Sequence, residues 1–198
     1  SLEMKRNILF IDPQGGYSTS APHIGLAYMA ASLKNNKECN FKIFDFNRMS
    51  KPYEQILKVS SNERKTDGIG ITLNIGSMYA VPDLLEKIKN YYPEAKVFIG
   101  GPHTSLLYKK LLIDFAKYVD FAVIGETERT ISDIVENIHN QDALSELPGV
   151  VFKDDLDKEC KADLVSNLDE LDFPAYEYFE SDKRSQNGME SYQILNSR

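Results

Sequence analysis

Cysteine is nearly missing from this 198-residue chain: Cys39 and Cys160 stand far apart and outside any Cys-x-x-Cys spacing. That speaks against a disulfide framework and makes the cytoplasm the natural compartment. The three histidines, His23, His103 and His139, are isolated, so zinc-ligand spacing is absent and any metal has to arrive inside a cofactor. Basic surplus is missing too: 23 Lys and Arg face 30 Asp and Glu, giving a net charge of −7. Without clustered cations to neutralise phosphates, no nucleic-acid partner is expected. No apolar run approaches the roughly 18 residues of a membrane span, and Lys5-Arg6 leads into too short an apolar stretch for a signal peptide. No membrane association is expected. Ser1-Leu2-Glu3 ahead of Met4 reads as a cloning remnant and is left out of the fold reading. What remains is 42% hydrophobic and 27% charged, the profile of a globular chain able to bury a sizeable core.

Short apolar runs alternate with amphipathic stretches. Asn7–Asp12, Phe41–Phe46, Gly68–Leu73, Lys96–Ile99 and Phe121–Ile124 read as strands, the first nearly continuous, as in strands buried on both faces of a parallel sheet. Helical spacing follows each: Leu26, Ala27, Ala30, Ala31 and Leu33 after Pro22; Tyr53, Ile56 and Leu57 inward on a helix over 53–62; Val81, Leu84, Leu85, Ile88 and Tyr92; a less cleanly patterned helix over 105–117; and Ile131, Ile134, Val135 and Ile138. Five strand–helix units imply right-handed crossovers and a doubly wound five-stranded parallel sheet, flavodoxin-like (Rossmann-like), over residues 4–140. Residues 141–198 break the rhythm. They read as an extension and connector, with a short strand within 148–153 and a polar, loose stretch over 181–190.

Ligands of such sheets bind outside the carboxyl ends of the strands, so the loops after Asp12, Thr72, Ile99 and Ile124 matter most. Gly100-Gly101 is either a tight turn or a place where a flat ligand nears the backbone unhindered by Cβ. The first loop, Asp12-Pro-Gln-Gly-Gly-Tyr-Ser-Thr-Ser20, has neither the GxGxxG of dinucleotide sites nor a Gly-Lys-Ser/Thr phosphate loop. A phosphorylatable receiver needs an Asp ending the third strand, where Thr72 stands. A flavin carrier stays open, because Ser18, Thr19 and Ser20 could bond a phosphate at the helix start.

Pro22–Leu33 (PHIGLAYMAASL), Gly70-Ile71-Thr72, Ile99-Gly-Gly-Pro-His-Thr104 and Val119-Asp-Phe-Ala-Val-Ile-Gly-Glu-Thr-Glu128 resemble successive landmarks of cobalamin-binding domains at the N-terminus of radical-SAM enzymes. Leu168–Pro174 is similar to the connector toward the radical-SAM barrel, and Ile194–Arg198 to the strand leading into the cysteine motif of a [4Fe–4S] cluster. The resemblance implies a fragment trimmed at the domain border, covalently continued in the full-length protein by a barrel carrying the [4Fe–4S] cluster and S-adenosylmethionine, and without turnover by itself. The parent reaction it implies is methyl transfer or an oxidative cyclisation of the tetrapyrrole-cyclase kind.

Within the resemblance, the corrin lies over the strand ends and the nucleotide tail runs down a groove beside the sheet. Pro13-Gln14-Gly15 occupies the loop that usually supplies a histidine to cobalt. Gln14 stands in the histidine's place, and an amide is a poor cobalt ligand beside an imidazole; the implied cofactor is base-off cobalamin with no protein histidine on the metal. Thr72-Leu73-Asn74 would hydrogen-bond along the tail or the corrin amides. Gly100 and Gly101, followed by Pro102 and His103, would leave room for the benzimidazole or its ribose, with His103 a polar loop residue rather than a ligand. Gly125 and Glu126 would accept bonds from corrin amides, or Glu126 would cap the following helix. Tyr17 and Tyr79 either pack against the corrin edge or belong to the core. Two other functions remain beside this one: an FMN-binding electron carrier and a ligand-sensing regulatory domain.

Overall fold

The structure is a computed structural model and describes residues 5–15, 24–60, 65–128, 130–160 and 173–180. The proposed phosphate loop (Ser18–Ser20), Tyr17, Pro22, His23, Leu168–Asp172 and Ile194–Arg198 lie outside the described residues. Among the described residues the order is β1 (Arg6–Asp12), α1 (Ile24–Leu33), β2 (Cys39–Asp45), α2 (Pro52–Ser60), β3 (Gly68–Thr72), α3 (Val81–Tyr91), β4 (Lys96–Gly100), α4 (Pro102–Asp114), β5 (Phe121–Val123), α5 (Ile131–Glu136), α6 (Gln141–Ser145), β6 (Val150–Phe152) and β7 (Phe179–Glu180).

The sheet runs β6-β5-β4-β3-β1-β2-β7. All pairings are parallel except β5 with β6. Its centre, β2-β1-β3-β4-β5, is the doubly wound order expected from the alternation, with the winding reversing between β1 and β3. The expected five strands become seven. Val150–Phe152 returns antiparallel to β5 and covers that edge, and the two-residue β7 pairs with β2 at Ile43 and Phe44. Both additions rest on long-range pairing, which covers edges that would otherwise stay open.

Strand alternation divides the core. Leu9, Ile11, Ile69, Ile71, Val97 and Ile99 face α2, α3 and α4. Ile8, Phe10, Phe98, Phe121 and Val123 face α1, α5 and α6. On that second face β3 offers almost no side chain, because the period of two places Gly68, Gly70 and Thr72 there. Neighbours close over the first two positions: a Cβ on Gly68 would lie 3.0 Å from Ile138 and Ile8, and one on Gly70 2.7 Å from the Phe98 ring and 2.9 Å from Phe10. Phe10 and Phe98 meet edge to face at 6.2 Å.

The helices differ locally from expectation. Leu57 of α2 points outward, 45% exposed, while Ile56 alone on that helix is buried. Helix α4 begins three residues early, since Pro102 occupies the first position, where its fixed φ suits a helix start. Its weak pattern matches a kink at Leu107. The helix expected through Ile138 ends at Glu136, although Ile138 stays buried in the following turn.

Candidate functional site

The trough left by β3 opens at the carboxyl end of the sheet as a pocket of about 310 Å³. Its floor is the backbone of β3 and β4 at Gly70, Ile71, Thr72 and Gly100, and its walls are Leu26 and Met29 of α1 and Ile131 of α5. Val123 and the segment Gly125–Glu128 close the far side. The lining is mostly apolar, with a few hydroxyls and carboxyls among it (Thr72, Ser105, Thr127, Glu126 and Glu128), the composition of a small-molecule site.

Two glycines there do different things. Gly101 adopts φ 93°, a left-handed conformation, and a Cβ on it would lie 2.6 Å from Thr72 Oγ1 and 2.8 Å from the Leu73 carbonyl oxygen. Its lack of a side chain thus serves the turn itself. Around it Leu73 N–H donates to the Gly100 carbonyl at 2.8 Å and His103 N–H to the Leu73 carbonyl at 3.2 Å. Gly100 is the opposite case: a Cβ there would meet only Val123 O, at 3.7 Å, so the space above it is open. Gly125, with φ 79°, donates its N–H to Ser105 Oγ at 2.9 Å, which ties the β5 loop to α4. The buried Thr104 hydroxyl donates to Gly100 O at 2.8 Å and fixes the start of α4.

The structure gathers Thr72, Gly100, Gly101, Pro102, Gly125 and Glu126 around one pocket. Leu73, Asn74 and His103 lie beside it, outside its lining. Leu73 is buried in the opposite core, and Asn74 caps the 75–80 turn in a capping box with Ser77. Tyr79 is exposed rather than core. The helix after β5 takes Thr130 at its cap position, without a side-chain cap bond.

The first loop is held from β2. Asp12 and Asp45 are register partners at the ends of β1 and β2, and both are buried. Asp45 Oδ1 accepts from Asn47 N–H at 3.0 Å and from its Nδ2 at 3.2 Å. Asn47 Nδ2 also donates to Pro13 O, and its Oδ1 accepts from Gly15 N–H at 2.7 Å. Pro13 is thereby buried while Gln14 projects to solvent. Burial, with the Asp45 charge second, pushes the Asp12 carboxyl up to about 7.

Sequence reasoning missed Glu128, Ser105, Gly70 and Asn47. Glu128 belonged to a quoted landmark, and the Gly-x-Gly-x-Thr alternation of β3 already announced a bare face; Ser105 and Asn47 act through contacts that no local pattern encodes. Glu128 lines the pocket, and its Oε2 is sealed from solvent with no hydrogen-bond partner among the described residues. Burial raises its carboxyl above the ordinary range, against a hydrogen bond from its own backbone that lowers it, and the nearby Glu126 adds a smaller raising effect. Among the described residues, no group of three or more His, Cys, Asp or Glu could hold a metal ion, and no helix is long and apolar enough to cross a membrane.

Comparison with known proteins places this geometry. The family model described as the B12 binding domain matches residues 17–135. An uncharacterized methyltransferase of Pyrococcus horikoshii is 27% identical over 182 residues, 91% of this chain and 39% of that protein. The chain therefore spans well under half of that relative. Among solved structures, the cobalamin-dependent S-adenosylmethionine radical enzyme OxsB, with aqua-cobalamin bound, superposes with a TM-score of 0.70 at 16% identity, over 87% of this chain and 24% of that one. The radical S-adenosylmethionine methyltransferase TsrM of Kitasatospora setae, with cobalamin and a [4Fe-4S] cluster bound, gives 0.63 at 18% identity, over 75% and 27%. At these identities the structural likeness is one of fold.

Proposed function

The chain belongs to the B12-binding domain family, and from that premise we propose that it is the cobalamin-holding module of a radical-SAM enzyme carrying out methyl transfer or oxidative cyclisation. The observation that carries this reading is the glycine-floored trough at the switch point, inside the matched span. The fit with cobalamin is good. A cavity of about 310 Å³ would admit a flat heterocycle and part of a sugar, and the macrocycle would stay outside it. Glu128 supplies a sealed oxygen, Oε2, without a hydrogen-bond partner among the described residues, as a site awaiting a ligand group would.

In this reading Gly100 and the backbone of β3 let the tail approach closely, and Thr72 with Gly125 and Glu126 flanks it. Leu73, Asn74, Gly101, Pro102 and His103 shape the adjoining turns. Pro13, Gln14 and Gly15, the first and last held by Asn47, would stand beside the macrocycle, and Gln14 would offer an amide in place of an imidazole. The cofactor is then base-off with no protein histidine on cobalt. When bound, cobalamin supplies a cobalt centre for group-transfer or radical chemistry, and the protein supplies position and shielding. The [4Fe–4S] cluster and S-adenosylmethionine belong to a covalently linked barrel, and a reducing cytoplasm suits the unpaired Cys39 and Cys160. The likenesses to known proteins lend nothing to the flavin-carrier alternative.

The test is direct. The purified chain is mixed with hydroxocobalamin, desalted, and its visible spectrum recorded. Retained corrinoid absorbance at about one equivalent is expected, and a colourless protein overturns the reading. In the reduced complex, electron paramagnetic resonance is expected to lack nitrogen superhyperfine splitting on cobalt; an imidazole pattern would refute the role given to Gln14.

A further inference from the structure

Register divides the trough into two layers. Phe10, Gly70 and Phe98 are partners across β1, β3 and β4, and Thr72 pairs with Gly100 two residues further along. At roughly 3.3 Å of rise per residue the layers lie about 6.6 Å apart. The floor of the outer layer is bare, since a Cβ on Gly100 would meet only Val123 O, at 3.7 Å. At the inner layer the rings of Phe98 and Phe10 stand 2.7 and 2.9 Å from a Cβ on Gly70, so the trough ends there against aromatic carbon. Opposite the sheet, α1 runs back from the carboxyl edge, because it joins two parallel strands. Met29, five residues in from its start at Ile24, lies about 7.5 Å down the helix, at the depth of the inner layer. Phe10, Phe98 and Met29 are all buried. At this layer β3 is paired on both sides, which commits its backbone amides to the ladders. The polar members of the lining belong to the end of β3 and to the segments that follow β4 and β5. A polar atom carried to the blind end would therefore lose its water and meet hydrocarbon and sulfur in exchange.

We propose that this inner layer makes the trough selective for a flat group whose leading edge is hydrocarbon, and that Phe10, Phe98 and Met29 reject a ring that leads with nitrogen or an amino group. The inference rests on the cobalamin reading above. There the leading edge is the dimethylated side of the benzimidazole, opposite its bond to the ribose. A purine base would present a ring carrying nitrogens and an amino group instead. Met29 is then a specificity-determining residue for the base of the corrinoid, and the one that can be changed without touching the strands.

The first measurement needs no variant. Dissociation constants are taken by equilibrium dialysis for two cobamides whose bases, phenol and para-cresol, do not bind cobalt and differ by one leading methyl group. The methyl is expected to tighten binding about fourfold, the worth of one buried carbon. No gain, or a loss, overturns the inference. The second measurement compares cobalamin with the adenine-based cobamide on the unaltered chain, Met29→Leu and Met29→Gln, with circular dichroism reporting folding. The cost of detaching each base from cobalt belongs to the free ligand and cancels in each variant-to-parent ratio. Met29→Gln, which brings an amide to the blind end, is expected to shift the preference about tenfold toward adenine. Met29→Leu, apolar and of similar size, should leave it within about twofold. A general loosening by Met29→Gln lowers both affinities together, so an unmoved ratio in the folded variant also overturns the inference. Should that variant not fold, the methyl pair decides alone. Corrinoids that bind without these preferences leave the cobalamin reading standing, whereas failure of every corrinoid to bind the unaltered chain overturns both.

Discussion

Single residues at the carboxyl edge of the sheet separate structural from ligand-facing demands. Gly101 and Gly100 are neighbours with opposite requirements. Gly101→Ala forces a side chain into a left-handed φ and against Thr72 Oγ1 at 2.6 Å, and is expected to cost about 2 kcal/mol, read as a lower urea midpoint. Gly100→Ala meets only ordinary contact; its stability should stay within about 0.5 kcal/mol of the parent, a surface-like effect, while corrinoid affinity falls. Equal destabilisation by both would break this assignment. Asp12 gives a pH prediction. Its carboxyl stands at about 7 in the fold against 3.8 ordinarily. The folded state thus holds the proton more tightly than the unfolded one, and stability is fullest below about pH 4 and declines as pH rises toward 7. At about 1.36 kcal/mol per unit, the decline is up to about 4 kcal/mol. Asp12→Asn should flatten it and raise the urea midpoint at pH 8 relative to the parent. A parent whose midpoint climbs steadily from pH 4 to pH 7, with Asp12→Asn parallel to it, would contradict the assignment.

Elements were legible where a local period specifies them. The continuous apolar run of β1, the 3.6-residue spacing of α3 and the glycine-ended β4 were all readable, because hydrophobic burial imposes those periods directly. Short elements depending on distant partners were not: β7 has two residues and exists through its pairing with β2, and the early end of α5 at Glu136 leaves Ile138 buried in a turn, its N–H donating to Val135 O at 3.3 Å. The site was half legible for the same reason. Gly100, Gly101 and Gly125 announce themselves as glycines at strand ends, whereas Asn47 is found only by following the first loop to its anchor on β2. That anchor is testable. Asn47 bridges Asp45, Pro13 O and Gly15 N–H, so Asn47→Ala strands buried backbone groups at a cost of about 1–3 kcal/mol. Amide exchange should accelerate at Gly15 but not in β3, because the bond lost is local to the first loop. Unchanged Gly15 protection would show that the loop is held by something else.

At the scale of the whole molecule, the two faces of the sheet are built differently. The face toward α2, α3 and α4 is closed by apolar side chains from every central strand, Leu9, Ile11, Phe44, Ile69, Ile71, Val97, Ile99 and Ala122 among them. The face toward α1 and α5 is filled over Gly68 by Ile8 and Ile138 and over Gly70 by Phe10 and Phe98, and is left incomplete beyond them, toward Thr72 and Gly100. An incomplete core forgoes dispersion and burial, and a ligand that occupies the gap restores both. Binding confined to the folded state then adds about 2.7 kcal/mol at a hundredfold excess over the dissociation constant. For a chain of 198 residues that corresponds to a rise in midpoint temperature of roughly 5–10 °C. Thermal melts with hydroxocobalamin at that excess are expected to show the rise, and melts with FMN at the same concentration to show none. A shift with FMN alone would assign the trough to a flavin, and no shift with either would mean that the gap over β3 is a packing defect the fold tolerates rather than a seat for a ligand.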